Sequence, residues 1–147
     1  MPTLAKNKKA FHDYEILEKI EAGLMLSGPE VKSMRNGNLN LKGSFISFLK
    51  EEAYLTNAHI GKYKYATVSE YDPTRSRKLL LSKKQLDYLQ GKKQVAGLTV
   101  IPLSVYTSGR YIKLSIAVAK GKKLHDKRRS IKDRDVKREM QRALKSY

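Results

Sequence analysis

His12, His59 and His125 are the chain's only imidazoles, and metal or proton-transfer chemistry would have to start there. None has a partner at the His-x-x-x-His spacing that sets two ligands on one helix face, so no metal site is expected. Cysteine is absent, which excludes disulfides and every thiolate-held zinc or iron–sulfur centre. Gly91 and Gly121 are each followed by two lysines, but neither belongs to a Gly-x-x-x-x-Gly-Lys-Ser/Thr loop that would cradle phosphates. There is no Gly-x-Ser-x-Gly elbow. Glu51 and Glu52 are adjacent; on a strand they would point to opposite faces, so they read as a turn and not as an acid/base pair. No cofactor is expected, and an enzyme ranks last among the readings.

The residue types suit a polyanion better. Lys6, Lys8 and Lys9 stand just before Phe11, His12 and Tyr14. Cations interleaved with rings fit RNA, where phosphates meet the charges and unstacked bases lie on the rings. A solvated start followed by core aromatics fits equally well, and composition leaves both open. Arg75-Ser76-Arg77-Lys78 runs into Leu79-Leu80-Leu81. Taken alone, Leu80 and its neighbours favour a core role, with the charges fixing a basic patch beside them. Glu21 reads as a surface carboxylate; on an RNA-facing surface it would accept a hydrogen bond from a base amino group or a 2′-OH.

The densest charge lies at the end of the chain. Residues 120–147 hold twelve Lys or Arg against four Asp or Glu, and include Gly121-Lys122-Lys123-Leu124-His125-Asp126-Lys127-Arg128-Arg129. Such a block lacks the apolar surface to offset its ordering entropy. His125, inside the run, would stack on a base and gain charge beside a phosphate. The whole chain of 147 residues carries a net charge of +17 with a pI near 10.0, and residues 1–119 retain +9 of it. Nucleic acid is the first partner this implies, through displacement of condensed counterions, and an anionic membrane surface the weaker one. The start, Met1-Pro2-Thr3-Leu4-Ala5-Lys6, lacks the apolar core of a signal peptide, and no stretch approaches the ~18 apolar residues of a membrane span. A soluble, cytoplasmic protein is expected, built as a body over 1–119 and a basic tail over 120–147.

Elements must hold these residues. The first ten residues are polar and expected to be mobile. Asp13 to Leu26 fits both strand alternation and a helix stripe, and is read as a long strand bent at Gly23. Ser27-Gly28-Pro29-Glu30 is a capping box with proline in the first turn, and Gly37 suits the end of a helix over Gly28 to Asn36. Phe45–Leu49 and Ala53–Ala58 form a hairpin around Glu51-Glu52. Asp72-Pro73 marks a turn. Ser82-Lys83-Lys84-Gln85 is a second capping box; Leu86 and Leu89 give its helix an apolar side, and Gly91 either ends it or lies within it. Thr99–Tyr106 and Arg110–Lys120 pair across Thr107-Ser108-Gly109, with Ile112, Leu114, Ile116 and Val118 on one buried face. Five or six strands and two helices predict a mainly β fold, a small closed or nearly closed barrel, for which a five-stranded nucleic-acid-binding barrel is one solution. In the tail, Val136, Met140, Ala143, Leu144 and Tyr147 recur at helical spacing. Residues 131–147 are expected to be unfolded when free and helical on a partner.

With these residues in place, the chain resembles the small protein B family, the bacterial transfer-messenger RNA-binding proteins of trans-translation. The resemblance rests on Asn7-Lys8-Lys9 with His12 and Tyr14, on Glu21-Ala22-Gly23-Leu24, and on Gly28-Pro29-Glu30-Val31-Lys32-Ser33-Met34-Arg35. It continues through Asp72-Pro73-Thr74-Arg75-Ser76-Arg77-Lys78-Leu79-Leu80-Leu81 and Val118-Ala119-Lys120-Gly121-Lys122-Lys123-Leu124-His125-Asp126-Lys127-Arg128. These strings follow the family's order over nearly the whole chain; Pro29 stands where some members carry a larger residue. The resemblance implies a closed β-barrel of the oligonucleotide-binding type with flanking helices, whose body binds the tRNA-like end of transfer-messenger RNA and replaces the missing anticodon arm. It also implies a tail that is helical in the decoding centre and empty mRNA channel of a stalled ribosome, against small-subunit ribosomal RNA. By the same analogy Asn7, Lys8, Lys9, His12, Tyr14, Glu21, Arg75, Lys78 and Leu80 face the RNA. Lys120, Gly121, Lys122, Lys123, His125, Asp126, Lys127 and Arg128 act at the decoding centre. A monomer without membrane or metal partners is expected.

The runner-up is a general single-strand or ribosomal RNA-binding barrel without a rescue role, which explains the charge but not the His125-to-Arg128 string. A membrane-surface or partner-helix protein ranks lower, because Val136, Met140 and Leu144 make a narrow stripe without Trp or Phe.

Overall fold

The computed structural model describes residues 2–65 and 70–122. The expectations for a tail unfolded when free, for a helix over 131–147 and for Lys123, His125, Asp126, Lys127 and Arg128 lie outside the described residues. Along the chain the elements are β1 (Thr3–Lys6), α1 (Lys8–Asp13), β2 (Tyr14–Leu24), α2 (Gly28–Arg35), β3 (Leu39–Asn40), β4 (Phe45–Leu49), β5 (Glu52–Thr56), β6 (His59–Ile60), β7 (Arg77–Leu80), α3 (Lys83–Lys93), β8 (Leu98–Ser108) and β9 (Tyr111–Gly121).

The β8–β9 hairpin is the spine. Gly109, at φ +59°, takes the first turn position, where a side chain would be strained. In β9, Ile112, Leu114, Ile116 and Val118 all point into the main core, as the alternation predicts. β2 lies along the other side of β9, from Tyr14 opposite Gly121 to Gly23 opposite Lys113. Its irregularity falls at Leu17, between Ile16 and Glu18, and not at the expected Gly23. Gly23 matters for a different reason: a Cβ there would stand 3.1 Å from the Leu80 Cβ on β7, its cross-strand neighbour, a tight contact. The antiparallel ladder runs β1-β8-β9-β2-β7-β5-β4, with β3 and β6 as a separate pair. The fold is mainly β with flanking helices, but the expected closed barrel is not found. Its end strands β1 and β4 do not pair with each other, although the sheet curls far enough to bring β4 against β8. The edge of β8 that a closing strand would need is already taken by β1, Thr3 facing Tyr106 and Lys6 facing Ser104.

That pairing also overturns the mobile N-terminus. Leu4 and Ala5 pack on the main core, and the Asn7 N–H donates to the Leu103 carbonyl at 2.7 Å. α1 then lies over the outer face of the sheet, where Ala10 is buried with Ile101, Leu103, Ala117 and Ala119. The sheet therefore carries a main core on its inner face and a smaller one on part of its outer face.

Both predicted capping boxes form. The Ser27 hydroxyl accepts from the Glu30 N–H at 3.3 Å while Glu30 Oε1 accepts from the Ser27 N–H at 3.0 Å. Ser82 and Gln85 repeat the pattern at 3.2 Å in both directions. Gly37, at φ +86°, follows α2 as expected. Gly91 is inside α3, whose Leu89 reaches the inner core. The β4–β5 turn is made by Lys50 and Glu51, both with positive φ, and Glu52 opens β5; the expected turn pair is thus shifted by one residue. β9 runs to Gly121, so Lys120 and Gly121 are strand residues and the expected boundary after residue 119 falls inside it.

Candidate nucleic-acid interface

The part of the outer sheet face that α1 leaves open is polar. Cross-strand pairing sets Lys6, Ser104, Ser115 and Glu21 in one row across β1, β8, β9 and β2. The next row holds Thr3, Tyr106, Lys113, Gly23 and, on β7, Leu80. Side chains opposite one another in an antiparallel sheet share a face, so these rows form one continuous surface.

Glu21 is the fixed point of that surface. The Tyr106 hydroxyl donates to its Oε2, and the Lys113 ammonium stands 3.9 Å from its Oε1. Burial and the hydrogen bond to the carboxylate push the Tyr106 phenol up to about 12, so it stays a donor at neutral pH. A carboxylate held this way among cations repels phosphate but accepts from N–H and 2′-OH donors. Beside it, Gly23, Leu80, Arg110, Tyr111 and Lys113 line an open cleft of about 310 Å³ with Leu24, Leu26, Val31 and Ile112. Leu80 is 51% exposed, so the structure corrects the core role that composition favours; Leu79 is the buried member of the triplet. Tyr111 is 65% exposed, with the Lys113 ammonium 5.8 Å from its ring centroid.

A second basic cleft of about 240 Å³ opens beside α1, lined by Lys6, Asn7, Lys8, Lys9, Asn40 and Lys42. Asn7 organises it from below. Its side-chain amide donates to the Pro102 carbonyl at 2.9 Å, which leaves its amide oxygen outside that bond. Lys8 and Lys9 are exposed on α1. The Lys6 ammonium lies 4.8 Å from the centroid of the Phe11 ring. His12 Nδ1 is 2.9 Å from Asp13 Oδ1, and Tyr14 packs against the outer core, so the two are half-buried.

Arg75 and Lys78 are less free than their charge suggests. Glu30, buried at the start of α2, takes the Arg75 guanidinium on Oε1 and Arg77 Nε on Oε2 at 2.8 Å. Arg77 is fully buried and also donates to the carbonyls of Ala58 and Pro73 at 2.7 and 3.0 Å and to the Tyr71 hydroxyl at 3.1 Å. Burial raises the Glu30 carboxyl, but the Ser27 N–H and the two guanidiniums outweigh it and hold it below the ordinary carboxylate range. Lys78 pairs with Glu52 at 3.1 Å. The structure thus gathers Glu21 and Leu80 on one surface, gathers Asn7, Lys8 and Lys9 in a neighbouring cleft, and commits Arg75 and Arg77 to a structural network.

Residue reading missed Tyr106, Arg110, Tyr111, Lys113, Asn40 and Lys42. Lys113 was legible in the β9 alternation, which places it on the wet face. Tyr106 was hidden by the register shift between Pro102 and Ser104, which breaks the parity of β8. Lys120 and Gly121 close β9 opposite Leu98 and Tyr14, and the Lys122 N–H donates to the Asp13 carbonyl at 2.9 Å. Lys122, the last described residue, therefore stands beside the end of α1. No metal-holding cluster and no helix long and apolar enough to cross a membrane occur among the described residues.

Comparison with known proteins agrees over nearly the whole length. The family profile described as SmpB protein matches residues 4–146. An SsrA-binding protein of Sulfurihydrogenibium sp. (strain YO3AOP1) is 51% identical over 142 residues, covering 97% of this chain and 93% of the relative. One from Enterococcus faecalis (strain ATCC 700802 / V583) is 47% identical over 143 residues, with 97% and 93% coverage. The fold matches a chain of the solved structure described as "tmRNA-SmpB: a journey to the center of the bacterial ribosome", with a TM-score of 0.70 and 43% identity over 89% of this chain and 95% of that one. The profile match and these relatives together show that this chain belongs to the SmpB protein family.

Proposed function

We propose that the protein binds the tRNA-like domain of transfer-messenger RNA with the open outer face of its sheet. It then delivers that RNA to stalled ribosomes for rescue and peptide tagging. The observation that carries this is the Glu21–Tyr106–Lys113 cluster: a fixed acceptor among cations on a surface of hydroxyls and exposed rings, in a chain of the SmpB family. Such a surface reads shape, phosphates and a few unstacked bases, as a tRNA-like elbow offers them.

In this reading Asn7, Lys8, Lys9, His12, Tyr14, Glu21, Lys78 and Leu80 meet the RNA, and Arg75 lends its positive charge from the edge of the Glu30 network. The body is a partly closed relative of the oligonucleotide-binding barrel. Lys120, Gly121 and Lys122 launch the basic tail, and Lys123, His125, Asp126, Lys127 and Arg128 act at the decoding centre. An empty mRNA channel is walled by ribosomal RNA phosphates, and there the tail recovers the cost of becoming helical; a filled channel excludes it. The protein senses occupancy by sterics and charge and does no chemistry of its own. It acts as a monomer in the cytoplasm, where the ribosome is.

The test separates the two ends. Asp126→Ala, Lys127→Ala and Arg128→Ala together abolish tagging on ribosomes stalled on truncated messages while leaving affinity for the isolated tRNA-like domain within about twofold. Equal loss of both would contradict the division of labour. The alternative, a general RNA-binding barrel, predicts no preference for the tRNA-like domain over any other folded RNA.

A further inference from the structure

Beside the Glu30 network lies a cavity that the RNA reading leaves unused. Pro29 and Glu30 at the start of α2, Gly61 after β6, and the rings of Tyr63 and Tyr71 enclose about 90 Å³. The polar groups around it are engaged elsewhere. Glu30 holds the Ser27 N–H and two guanidiniums, and the Ser27 hydroxyl accepts from the Glu30 N–H. The Tyr71 hydroxyl donates to the Ile60 carbonyl at 2.8 Å and accepts from Arg77 at 3.1 Å. The Gly61 carbonyl accepts from the Ser33 hydroxyl, and its N–H donates to the Asn38 carbonyl at 2.9 Å. These bonds fix the walls and leave the interior mostly carbon. Val31, one residue beyond Glu30, lines the cleft beside Leu80 instead, so α2 stands between that cleft and this slot.

The mouth of the slot has the opposite character. Lys62 lines it and is exposed. The Lys32 ammonium lies 5.5 Å from the centroid of the Tyr63 ring, and the Lys64 ammonium 5.6 Å from that of Tyr65. None of these three lysines is ion-paired with a carboxylate among the described residues. Tyr65 is 72% exposed and meets Tyr63 edge-on, with centroids 5.5 Å apart. Glu70 and Asp72 flank Tyr71 in the chain, and Asp72 already accepts from the Thr74 N–H and hydroxyl at 2.9 and 3.0 Å.

A nucleobase suits the charge of this mouth but not its interior. Benzene occupies a protein cavity of about 150 Å³, so this slot is too small for a base. A base pressed against its walls would also leave its hydrogen-bonding edge unpaired. A branched aliphatic side chain fits the space and gives up no hydrogen bond.

We infer that the Pro29–Tyr63–Tyr71 slot is a protein-docking site that takes one leucine-sized aliphatic side chain from an acidic segment of a partner protein. The segment's carboxylates meet Lys32, Lys62 and Lys64, and the exposed Tyr65 ring packs beside the anchor. One apolar anchor in a preformed pocket supplies most of the affinity, and the surrounding charges select an acidic partner. Because α2 separates the slot from the Leu80 cleft, the protein can hold this partner and RNA together.

The test uses the full chain and short acidic peptides that differ only in one central residue: leucine, alanine or tryptophan. The leucine peptide should bind about tenfold or more tighter than the alanine peptide, and the tryptophan peptide no tighter than alanine. Rising salt should weaken all three while the leucine-to-alanine ratio holds. Tyr63→Ala removes one wall and should erase that ratio, with affinity for the tRNA-like domain kept within about twofold. Lys62→Glu with Lys64→Glu should weaken every acidic peptide about tenfold or more and keep the ratio. Equal binding of the leucine and alanine peptides to the wild-type protein overturns the inference, as the mark of a non-specific polycation. A leucine preference that survives Tyr63→Ala overturns it too, since the anchor then sits elsewhere. An oligoribonucleotide that competes with the leucine peptide and is itself weakened by Tyr63→Ala would make the slot an RNA site and likewise overturns it.

Discussion

Glu30 and Glu21 show two uses of a carboxylate in a chain with more than twice as many cations as anions. Glu30 is buried with Arg77 and fixes the Asp72–Arg77 segment to α2. Replacing it by glutamine leaves Arg77 buried without a counter-charge, which should cost about 3–5 kcal/mol in urea unfolding at pH 7. The sign with pH follows from its depressed titration. Its stabilisation is complete above the unfolded value of about 4.3 and is lost as pH falls through the folded one. The difference between wild type and Glu30→Gln should therefore shrink only in acid below that pH; a gap that stays constant down to full protonation would contradict the ion network. Glu21 is exposed and should matter little to stability. Tyr106→Phe removes the hydroxyl that holds it, and should lower affinity for the tRNA-like domain about three- to tenfold while leaving the melting temperature within a degree or two. The fold-loss should vanish in a Glu21→Ala background, which has no acceptor for the phenol; the same loss in both backgrounds would mean that the phenol touches RNA directly.

At the scale of elements, the packing of β2 on β7 decides where Leu80 stands. Gly23→Ala puts a methyl 3.1 Å from the Leu80 Cβ, so Leu80 must give by a few tenths of an ångström. We expect a cost of about 1–3 kcal/mol in chemical denaturation, and weaker RNA binding because Leu80 leaves its place. Stability equal to wild type would show that Leu80 gives way freely. Ser27→Ala should remove about 1 kcal/mol by opening the α2 cap, without touching RNA affinity. These elements differed in how far the sequence revealed them. The helices were legible because Ser27 with Glu30 and Ser82 with Gln85 satisfy local backbone donors, a rule that needs no tertiary context. β9 was legible from its apolar face, but only part of the other face is wet: Lys113 and Ser115 reach solvent, while Ala117 and Ala119, which alternation also set on the wet side, are buried under α1. β1 and α1 were not, since a strand of four residues and a helix of six hold together through pairing with β8 and packing on the two cores, all far along the chain. Arg77 had no local signal either: it looks like its solvent-facing neighbours until Glu30 folds over it.

For the whole molecule, charge alone would bind any nucleic acid, and a net charge of +17 guarantees steep salt dependence. What distinguishes the proposed function is that a fixed acceptor and exposed rings lie on one surface beside a cleft, with a second basic cleft next to α1. Closure of the sheet was expected from the need to protect edges. The molecule protects β8 instead with the first strand of the chain, which also carries Asn7 to its place over Pro102. The candidate RNA residues at the N-terminus are therefore positioned by the same pairing that keeps the barrel from closing. The most direct measurement is binding of the full chain to the tRNA-like domain of transfer-messenger RNA across a salt series, with a hairpin of equal length as control. We expect a strong preference for the tRNA-like domain that persists as salt rises and is lost in Glu21→Ala. Equal affinities for both RNAs, falling together with salt and indifferent to Glu21, would contradict it.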